Sequence, residues 1–163
     1  MATIPLQPEE VIFAADDDED DIDLLRLLLR KAEVTTPLHA FQAGEDLVEA
    51  LSGLLKSSLQ AMRPLLFFLD IKMPAMNGYD ILRWIREQKA LDAVPVVVLS
   101  SSDSPADVAR AAKEGAQCYL TKYPHPSVLK QVVDEAERFA FGAPASECFC
   151  LPTNQLLVRA RRV

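Results

Sequence analysis

The sequence predicts an α/β fold, a parallel sheet covered by helices on both faces. Two observations support this prediction. Five short apolar runs alternate along the chain with five stretches of helical periodicity. Alternation at this spacing is typical of βαβ units with right-handed crossovers. In addition, a chain of 163 residues is long enough to bury one sizeable core, so a single domain is expected.

The predicted strands are short and mostly apolar. They cover residues 11–15, 37–42, 65–69, 94–99 and 117–121. The third run, LLFFL, has no alternating polar positions, which indicates a strand buried on both faces, as in a parallel sheet. It ends abruptly in a carboxylate, Asp70.

The predicted helices cover residues 22–31, 45–58, 79–90, 104–115 and 127–141. The first has a broad leucine-rich face, as expected for a helix packed on a sheet. Six acidic residues at 16–21 precede it, and those at 18–21 suit the positive end of the helix dipole. Ser104 and Pro105 fit the cap and first turn of the fourth helix, which Gly115 is expected to end.

Three regions follow from this pattern. Residues 1–8 form an N-terminal arm expected to be flexible, residues 9–141 form the folded domain, and residues 142–163 form a tail. The tail is too short for a second domain. We weigh two interpretations of it equally: an unstructured end, and an ordered segment that is either a terminal strand or an arm that forms a dimer.

Composition excludes several classes of protein. The formal net charge of −7 does not suggest a nucleic-acid partner. No apolar run is long enough to cross a bilayer, and the N-terminus lacks the features of a signal peptide. Three cysteines do not make a disulfide framework, and the Cys148–Cys150 spacing is only a weak zinc signal. A cytoplasmic, reduced protein is therefore expected.

Polar residues capable of chemistry follow four of the predicted strands. They are Asp16 and Asp17, then Asp70, then Ser100 and Ser101, and finally Lys122. The carboxyl ends of parallel strands share one edge, so these side chains are expected to meet. Clustered carboxylates favour a hard divalent ion such as Mg²⁺. A carboxylate can also accept a phosphoryl group, whose charge the ion and a lysine would neutralise.

The ordered set of motifs resembles the receiver domain of response regulators in two-component signalling. The acidic pair Asp16-Asp17 follows strand one. The segment DIKMPAMNG at 70–78 is similar to the family's loop after the phosphorylated Asp. Ser100-Ser101, Tyr119 and Lys122 match the later motifs, and the resemblance covers roughly residues 9–141. One departure is Lys122-Tyr123-Pro124, where the family usually has Lys-Pro.

The resemblance implies a flavodoxin-like (βα)5 fold with strand order 2-1-3-4-5. It implies that Asp70 is the phosphoacceptor. The Mg²⁺ ligands would be the carboxylates of Asp16, Asp17 and Asp70 with the backbone carbonyl of Lys72.

It also implies three further roles. Lys122 would pair with the phosphoryl group. Ser100 would move toward that group, and Tyr119 would turn inward in response.

The implied function is a single-domain response regulator rather than an enzyme, with only self-phosphorylation and self-dephosphorylation as its own chemistry. A sensor histidine kinase would donate the phosphoryl group. Output would pass to a downstream protein target, with no DNA-binding domain and no membrane contact. The tail resembles that of small regulators serving bacteriophytochromes, which suggests a phytochrome-type kinase and a homodimer.

Two alternatives belong to other classes. Haloacid-dehalogenase-type phosphatases also use Asp at a strand end with Mg²⁺, but they carry a second Asp two positions later, where this chain has Lys72. A degenerate receiver acting as a constitutive interaction module would lack Asp70, the acidic pair or Lys122. All of these are present.

Overall fold

The computed structural model describes residues 7–140, which form a five-stranded parallel sheet with a helix after each strand. The strands are β1 Glu9–Ala15, β2 Leu38–Phe41, β3 Met62–Leu69, β4 Val96–Ser100 and β5 Cys118–Thr121. The helices are α1 Glu19–Lys31, α2 Gly44–Lys56, α3 Gly78–Glu87, α4 Pro105–Glu114 and α5 Pro126–Ala140. The order β2-β1-β3-β4-β5 confirms the predicted flavodoxin-like fold.

The sheet separates two apolar clusters because neighbouring residues of a strand point to opposite faces. On one face, Phe13 and Phe67 pack with residues of α2, α3 and α4. On the other face, Ile12 and Phe68 pack with residues of α1 and α5. Both faces are therefore covered, as the continuous apolar runs predict. Among residues 7–140, no helix is both long and apolar enough to span a bilayer.

Strand β3 begins at Met62 and runs through Pro64, so it starts ahead of the predicted strand at 65–69. Val11 pairs with Pro64 and Ile12 with Leu66, so Leu65 is an extra residue in the ladder. Proline cannot donate a main-chain hydrogen bond, and a bulge accommodates it inside a strand.

The helix ends differ from the prediction mainly at their caps. Helix α1 starts at Glu19 because the Asp18 side chain accepts a hydrogen bond from the Asp20 amide. Helix α3 starts with a capping box between Asn77 and Asp80. Ser104 occupies the N-cap position of α4 and Pro105 begins the helix, as predicted, although the Ser104 side chain makes no cap hydrogen bond.

Other boundaries differ by a few residues. Helix α3 ends at Glu87, and β4 begins at Val96, after Pro95. Gly115 ends α4 in the left-handed region with φ of 102°, as predicted. Most of the predicted arm at 1–8 and all of the tail at 142–163, including Cys148 and Cys150, lie outside the described residues.

Candidate functional site

The carboxyl ends of the strands meet at one edge of the sheet. Main-chain hydrogen bonds continue just past the strand ends. The Asp70 amide donates to the Ala15 carbonyl at 3.0 Å, and the Lys122 amide donates to the Ser100 carbonyl at 2.8 Å. Of the polar and charged residues that the structure describes, three are buried: Asp16, Asp70 and Ser100. The structure thus brings these predicted site residues together, as parallel topology requires.

Lys122 lies at the centre of this edge. Its ammonium is 2.6 Å from Asp16 Oδ2, 2.7 Å from Asp21 Oδ2 and 3.1 Å from Asp70 Oδ2. Its side chain is only 7% exposed. An ammonium has three N–H donors, so three carboxylates saturate it.

Asp21 is a member of this cluster that the sequence analysis missed. It lies in the first turn of α1, within the acidic run, where helix-dipole stabilisation already accounts for an acid. The residue reaches Lys122 across the sheet edge. No local sequence pattern distinguishes it from its acidic neighbours, because the pairing depends on tertiary structure.

The two buried carboxylates are held by local hydrogen bonds. Asp16 Oδ1 accepts from the Asp18 amide at 3.0 Å, and Asp70 Oδ1 accepts from the Lys72 amide at 3.1 Å. In both residues the second oxygen faces the Lys122 ammonium. Each carboxylate is therefore fixed in orientation before any ligand arrives.

Three carboxylates form a group suited to a divalent cation. Each of Asp16, Asp17 and Asp70 offers an oxygen, and these oxygens lie within 4.8 Å of one another. Asp17 is exposed, whereas the other two are buried. Hard oxygen donors with one solvent-facing side fit Mg²⁺, which retains several waters. The role of the Lys72 carbonyl as a further ligand stays a prediction.

Burial and nearby opposite charge have opposing effects on the pKa values of Asp16 and Lys122. Burial raises the pKa of Asp16, and its hydrogen bond to Lys122 only partly offsets this effect. For Lys122, burial acts to lower the pKa. The hydrogen bonds to Asp16 and Asp21, with the charge of Asp70, outweigh burial and raise it. Lys122 therefore stays cationic at neutral pH and supplies the positive charge of the site.

The loop after Asp70 packs closely against the site through Gly78. A Cβ atom placed on Gly78 would lie 2.3 Å from the Asp70 carbonyl oxygen. Within the same loop, Ala75 adopts a φ of 61°. A glycine at 78 thus lets the start of α3 approach the main chain of Asp70, which the sequence alone does not reveal.

Ser100 is the last residue of β4, and Tyr119 lies within β5. Ser100 is fully buried, and its hydroxyl accepts a hydrogen bond from the Ser102 amide at 3.2 Å. Tyr119 is 1% exposed and donates to the Ser102 carbonyl at 2.8 Å. Burial raises the pKa of Tyr119, which keeps its hydroxyl protonated. Tyr119 lies inward in this structure, and its predicted response to phosphorylation stays a prediction.

A hydrogen-bond network that the sequence analysis missed extends from this loop to α4. Ser102 Oγ donates to Asp107 Oδ2 at 2.5 Å. The Tyr79 hydroxyl donates to the Asp107 carbonyl at 3.1 Å, and the Arg110 guanidinium lies 4.0 Å from the Tyr79 ring centroid. The β4–α4 loop is thereby connected to both α3 and α4.

The segment after β5 carries the departure from the family pattern. The peptide bond between Lys122 and Tyr123 is cis, and Tyr123 is 46% exposed.

A larger cavity lies away from this edge. It has a volume of about 250 Å³ and is lined by residues at the opposite ends of β3 and β4, including Pro64, Val94 and Pro95, and by Phe139 of α5. It contains none of the predicted site residues. The polar cluster, rather than the larger cavity, therefore identifies the candidate site.

A family model and a curated protein that match this chain agree on one family. The family model described as response regulator receiver domain matches residues 12–134. The two-component response regulator ORR3 of Oryza sativa subsp. indica is 35% identical over 132 residues, which are 80% of this chain and 92% of that protein.

Two solved structures are also similar. The phosphorylated cyanobacterial phytochrome response regulator RcpA is 30% identical with a TM-score of 0.61, over 83% of this chain and 95% of that chain. The Mn²⁺-bound form of response regulator Rcp1 is 27% identical with a TM-score of 0.59, over 84% of this chain and 97% of that chain.

Proposed function

Because this chain belongs to the response regulator receiver domain family, we propose that it is a signalling switch controlled by phosphorylation of Asp70. The observation that carries this proposal is the position of Asp70. Its buried carboxylate lies at a strand end, 3.1 Å from the Lys122 ammonium and within the carboxylate group of Asp16 and Asp17. A phosphoacceptor needs an oriented oxygen beside fixed positive charge.

In the proposed reaction, a histidine kinase presents a phosphohistidine to the site. An Asp70 oxygen forms a bond to phosphorus while the phosphorus–nitrogen bond of the phosphohistidine breaks. The imidazole leaves with the electron pair and takes up a proton. Lys122 stabilises the negative charge on the transferred group, since its raised pKa keeps it protonated.

Asp16, Asp17 and Asp70, with the Lys72 carbonyl, would hold Mg²⁺. When bound, the ion supplies positive charge that balances the clustered carboxylates and the phosphoryl oxygens. The carboxylate group supports this assignment through its donor type and spacing. The similar response regulator Rcp1 was solved in an Mn²⁺-bound form, which supports the proposal that this chain binds a divalent ion.

The switch would act through Ser100, Tyr119 and the β4–α4 loop. Phosphorylation adds negative charge and acceptor oxygens at the sheet edge. A Ser100 hydroxyl that turned toward the phosphoryl group would give up its hydrogen bond to Ser102. Ser102 is hydrogen-bonded to Tyr119 and Asp107, so the β4–α4 loop, β5 and α4 would respond together.

The proposed partners are a sensor histidine kinase and a downstream protein target. The 30% identity to the phytochrome regulator RcpA supports a phytochrome-type kinase. A cytoplasmic location and a possible homodimer are part of the same proposal.

The test uses the whole chain with Mg²⁺ and acetyl phosphate, followed by intact-mass measurement and peptide mapping. We expect the wild type to gain one phosphoryl group at Asp70. An Asp70→Asn variant should gain none, whereas an Asp23→Asn variant, changed at an exposed acid of α1, should behave like the wild type. A wild type that gains no mass and binds no beryllofluoride would favour the constitutive interaction module instead.

A further inference from the structure

Lys122 has one carboxylate partner that lies outside the group suited to a cation. Asp16 and Asp70 belong to that group, whereas Asp21 does not. We propose that Asp21 is a positioning residue that holds the Lys122 ammonium beside Asp70 for phosphoryl transfer. This inference rests on the proposed function of Asp70 and adds a residue to it.

The reason lies in how the three carboxylates divide their charge. Oxygens of Asp16 and Asp70 have to serve a divalent cation as well as Lys122. Coordination to a cation withdraws negative charge from an oxygen and weakens its hold on a nearby ammonium. In the described structure, Asp21 is outside the carboxylate group suited to a cation, so a bound cation would not compete with Lys122 for its oxygens. It therefore supplies the anchor of Lys122 that does not depend on the metal.

Asp21 is rigidly placed for this task. It lies in the first turn of α1, where Ile22 and Leu25 are buried against the sheet and Asp18 caps the helix. Its side chain is 18% exposed, and its carboxylate is 2.7 Å from the Lys122 ammonium. The anchor thus comes from a packed helix, whereas Lys122 lies just after β5, in the loop before α5.

Apolar surroundings strengthen the ion pair between Asp21 and Lys122. The depression that holds Asp21, Asp70 and Lys122 is also lined by apolar residues, among them Leu25 and Leu99. Apolar walls lower the local dielectric and increase the attraction between opposite charges. Loss of one charge-assisted hydrogen bond here should slow phosphorylation about ten-fold, by leaving Lys122 less well aligned with Asp70.

The experiment compares Asp21→Asn with Asp23→Asn. Both variants remove one negative charge from α1, but Asp23 is exposed. The rate of phosphorylation at saturating Mg²⁺ and acetyl phosphate should fall about ten-fold in Asp21→Asn and stay near wild type in Asp23→Asn. Mg²⁺ affinity should change equally in the two, because Asp21 is not a ligand.

Two further readouts separate positioning from a general structural effect. In ¹H–¹⁵N spectra of the metal-free protein, the Lys122 ammonium signal should shift in Asp21→Asn and not in Asp23→Asn. In ¹⁹F spectra of the beryllofluoride complex, the fluorine signal nearest Lys122 should shift in the same variant. The longer carboxylate of Asp21→Glu should recover part of the rate, which also guards against a fold defect in Asp21→Asn.

The outcomes are distinguishable. If the wild type accepts no phosphoryl group, the proposed function fails, and the positioning role fails with it. If the wild type is phosphorylated and Asp21→Asn matches Asp23→Asn in rate and in both spectra, Asp21 has no positioning role although the proposed function stands. A slower Asp21→Asn with shifted spectra supports the inference.

Discussion

Asp16 and Asp70 hold their carboxylates in the same way. In each residue, Oδ1 accepts a hydrogen bond from the backbone amide two residues later, and Oδ2 faces the Lys122 ammonium. Ser100 repeats the first half of this arrangement, since its hydroxyl accepts the amide of Ser102. Three strand ends thus use one local turn to fix a polar side chain at the sheet edge. This preorganisation makes the site sensitive to its single central cation and to its backbone support.

Replacing Lys122 with Met should destabilise the protein in the absence of Mg²⁺. Three carboxylates would lose their shared cation, and removing one partner of a buried ion cluster costs about 3 kcal/mol. The loss should shrink when Mg²⁺ is added, because the ion can neutralise the same oxygens. Urea denaturation with and without Mg²⁺ measures both effects.

The control for that measurement is Lys130→Met, which breaks an exposed pair with Asp134. Exposed pairs contribute little, so its unfolding free energy should stay near wild type under both conditions. Equal destabilisation of the two lysine variants would contradict the central role of Lys122.

Gly78→Ala should damage both stability and phosphorylation. The new Cβ would lie 2.3 Å from the Asp70 carbonyl oxygen, and backbone cannot yield without moving Asp70. Overpacking of this kind costs about 2 kcal/mol. Thermal or urea unfolding and the rate of mass gain with acetyl phosphate give the two readouts.

Gly53→Ala is the matched control. It lies within α2, where an added Cβ meets nothing within 4 Å. Alanine favours a helix over glycine by about 1 kcal/mol, so this variant should be slightly more stable and phosphorylated normally. A Gly78→Ala protein that behaves like Gly53→Ala would show that close packing at Asp70 is unimportant.

Tyr119→Phe should loosen the β4–α4 loop. The substitution removes the hydrogen bond to the Ser102 carbonyl, worth about 1 kcal/mol, and leaves the ring packed. Hydrogen exchange of the Ser102 and Ser104 amides should become faster. In Tyr79→Phe, which loses its bond to Asp107 instead, Tyr119 still holds the loop, and these amides should change less. The reverse ranking of the two variants would contradict the proposed connection.

Cys118 should be unreactive in the folded protein at neutral and mildly alkaline pH. Burial raises its pKa to about 12, and the thiolate is the reactive form. The raised pKa favours the protonated thiol in the fold. Its contribution to stability is therefore complete below the ordinary thiol pKa of 9.0 and is lost as pH rises toward 12.

Iodoacetamide labelling at pH 8, with peptide mapping at position 118, tests this. Labelling should be slow in the native protein and fast in guanidinium, where the thiol has its ordinary pKa. Fast native labelling at that position would show that the thiol is accessible.

Most of the fold follows from local patterns. The apolar run before Asp70 and the leucine-rich face of α1 are visible in the sequence, and parallel topology then places Asp70 and Lys122 at one edge. What the sequence does not show is the direction in which a polar side chain points. Asp21 differs in no local pattern from Asp20, yet its carboxylate accepts a hydrogen bond from the Lys122 ammonium.

Arg86, which lies away from the site, is a second residue whose contacts the sequence does not predict. Its guanidinium donates to the carbonyls of Asp92 and Val94 at 2.8 Å, to that of Gly115 at 2.9 Å and to the Gln117 side chain at 2.7 Å. Burial lowers its pKa to about 10, which still leaves it charged at neutral pH. A basic residue near the end of a helix looks like an ordinary dipole partner, so only tertiary structure reveals that it joins two loops.

Lys122 is the last of the site residues to be synthesised, and this order has a consequence for the newborn chain. A ribosome-bound chain that ends after β4 already contains Asp70 and its acidic neighbours, but it lacks the strand that brings the ammonium to them. In such a chain the proposed phosphoacceptor lacks the ammonium that the proposed reaction uses to stabilise the transferred group. We therefore expect phosphorylation of Asp70 only once translation has passed β5.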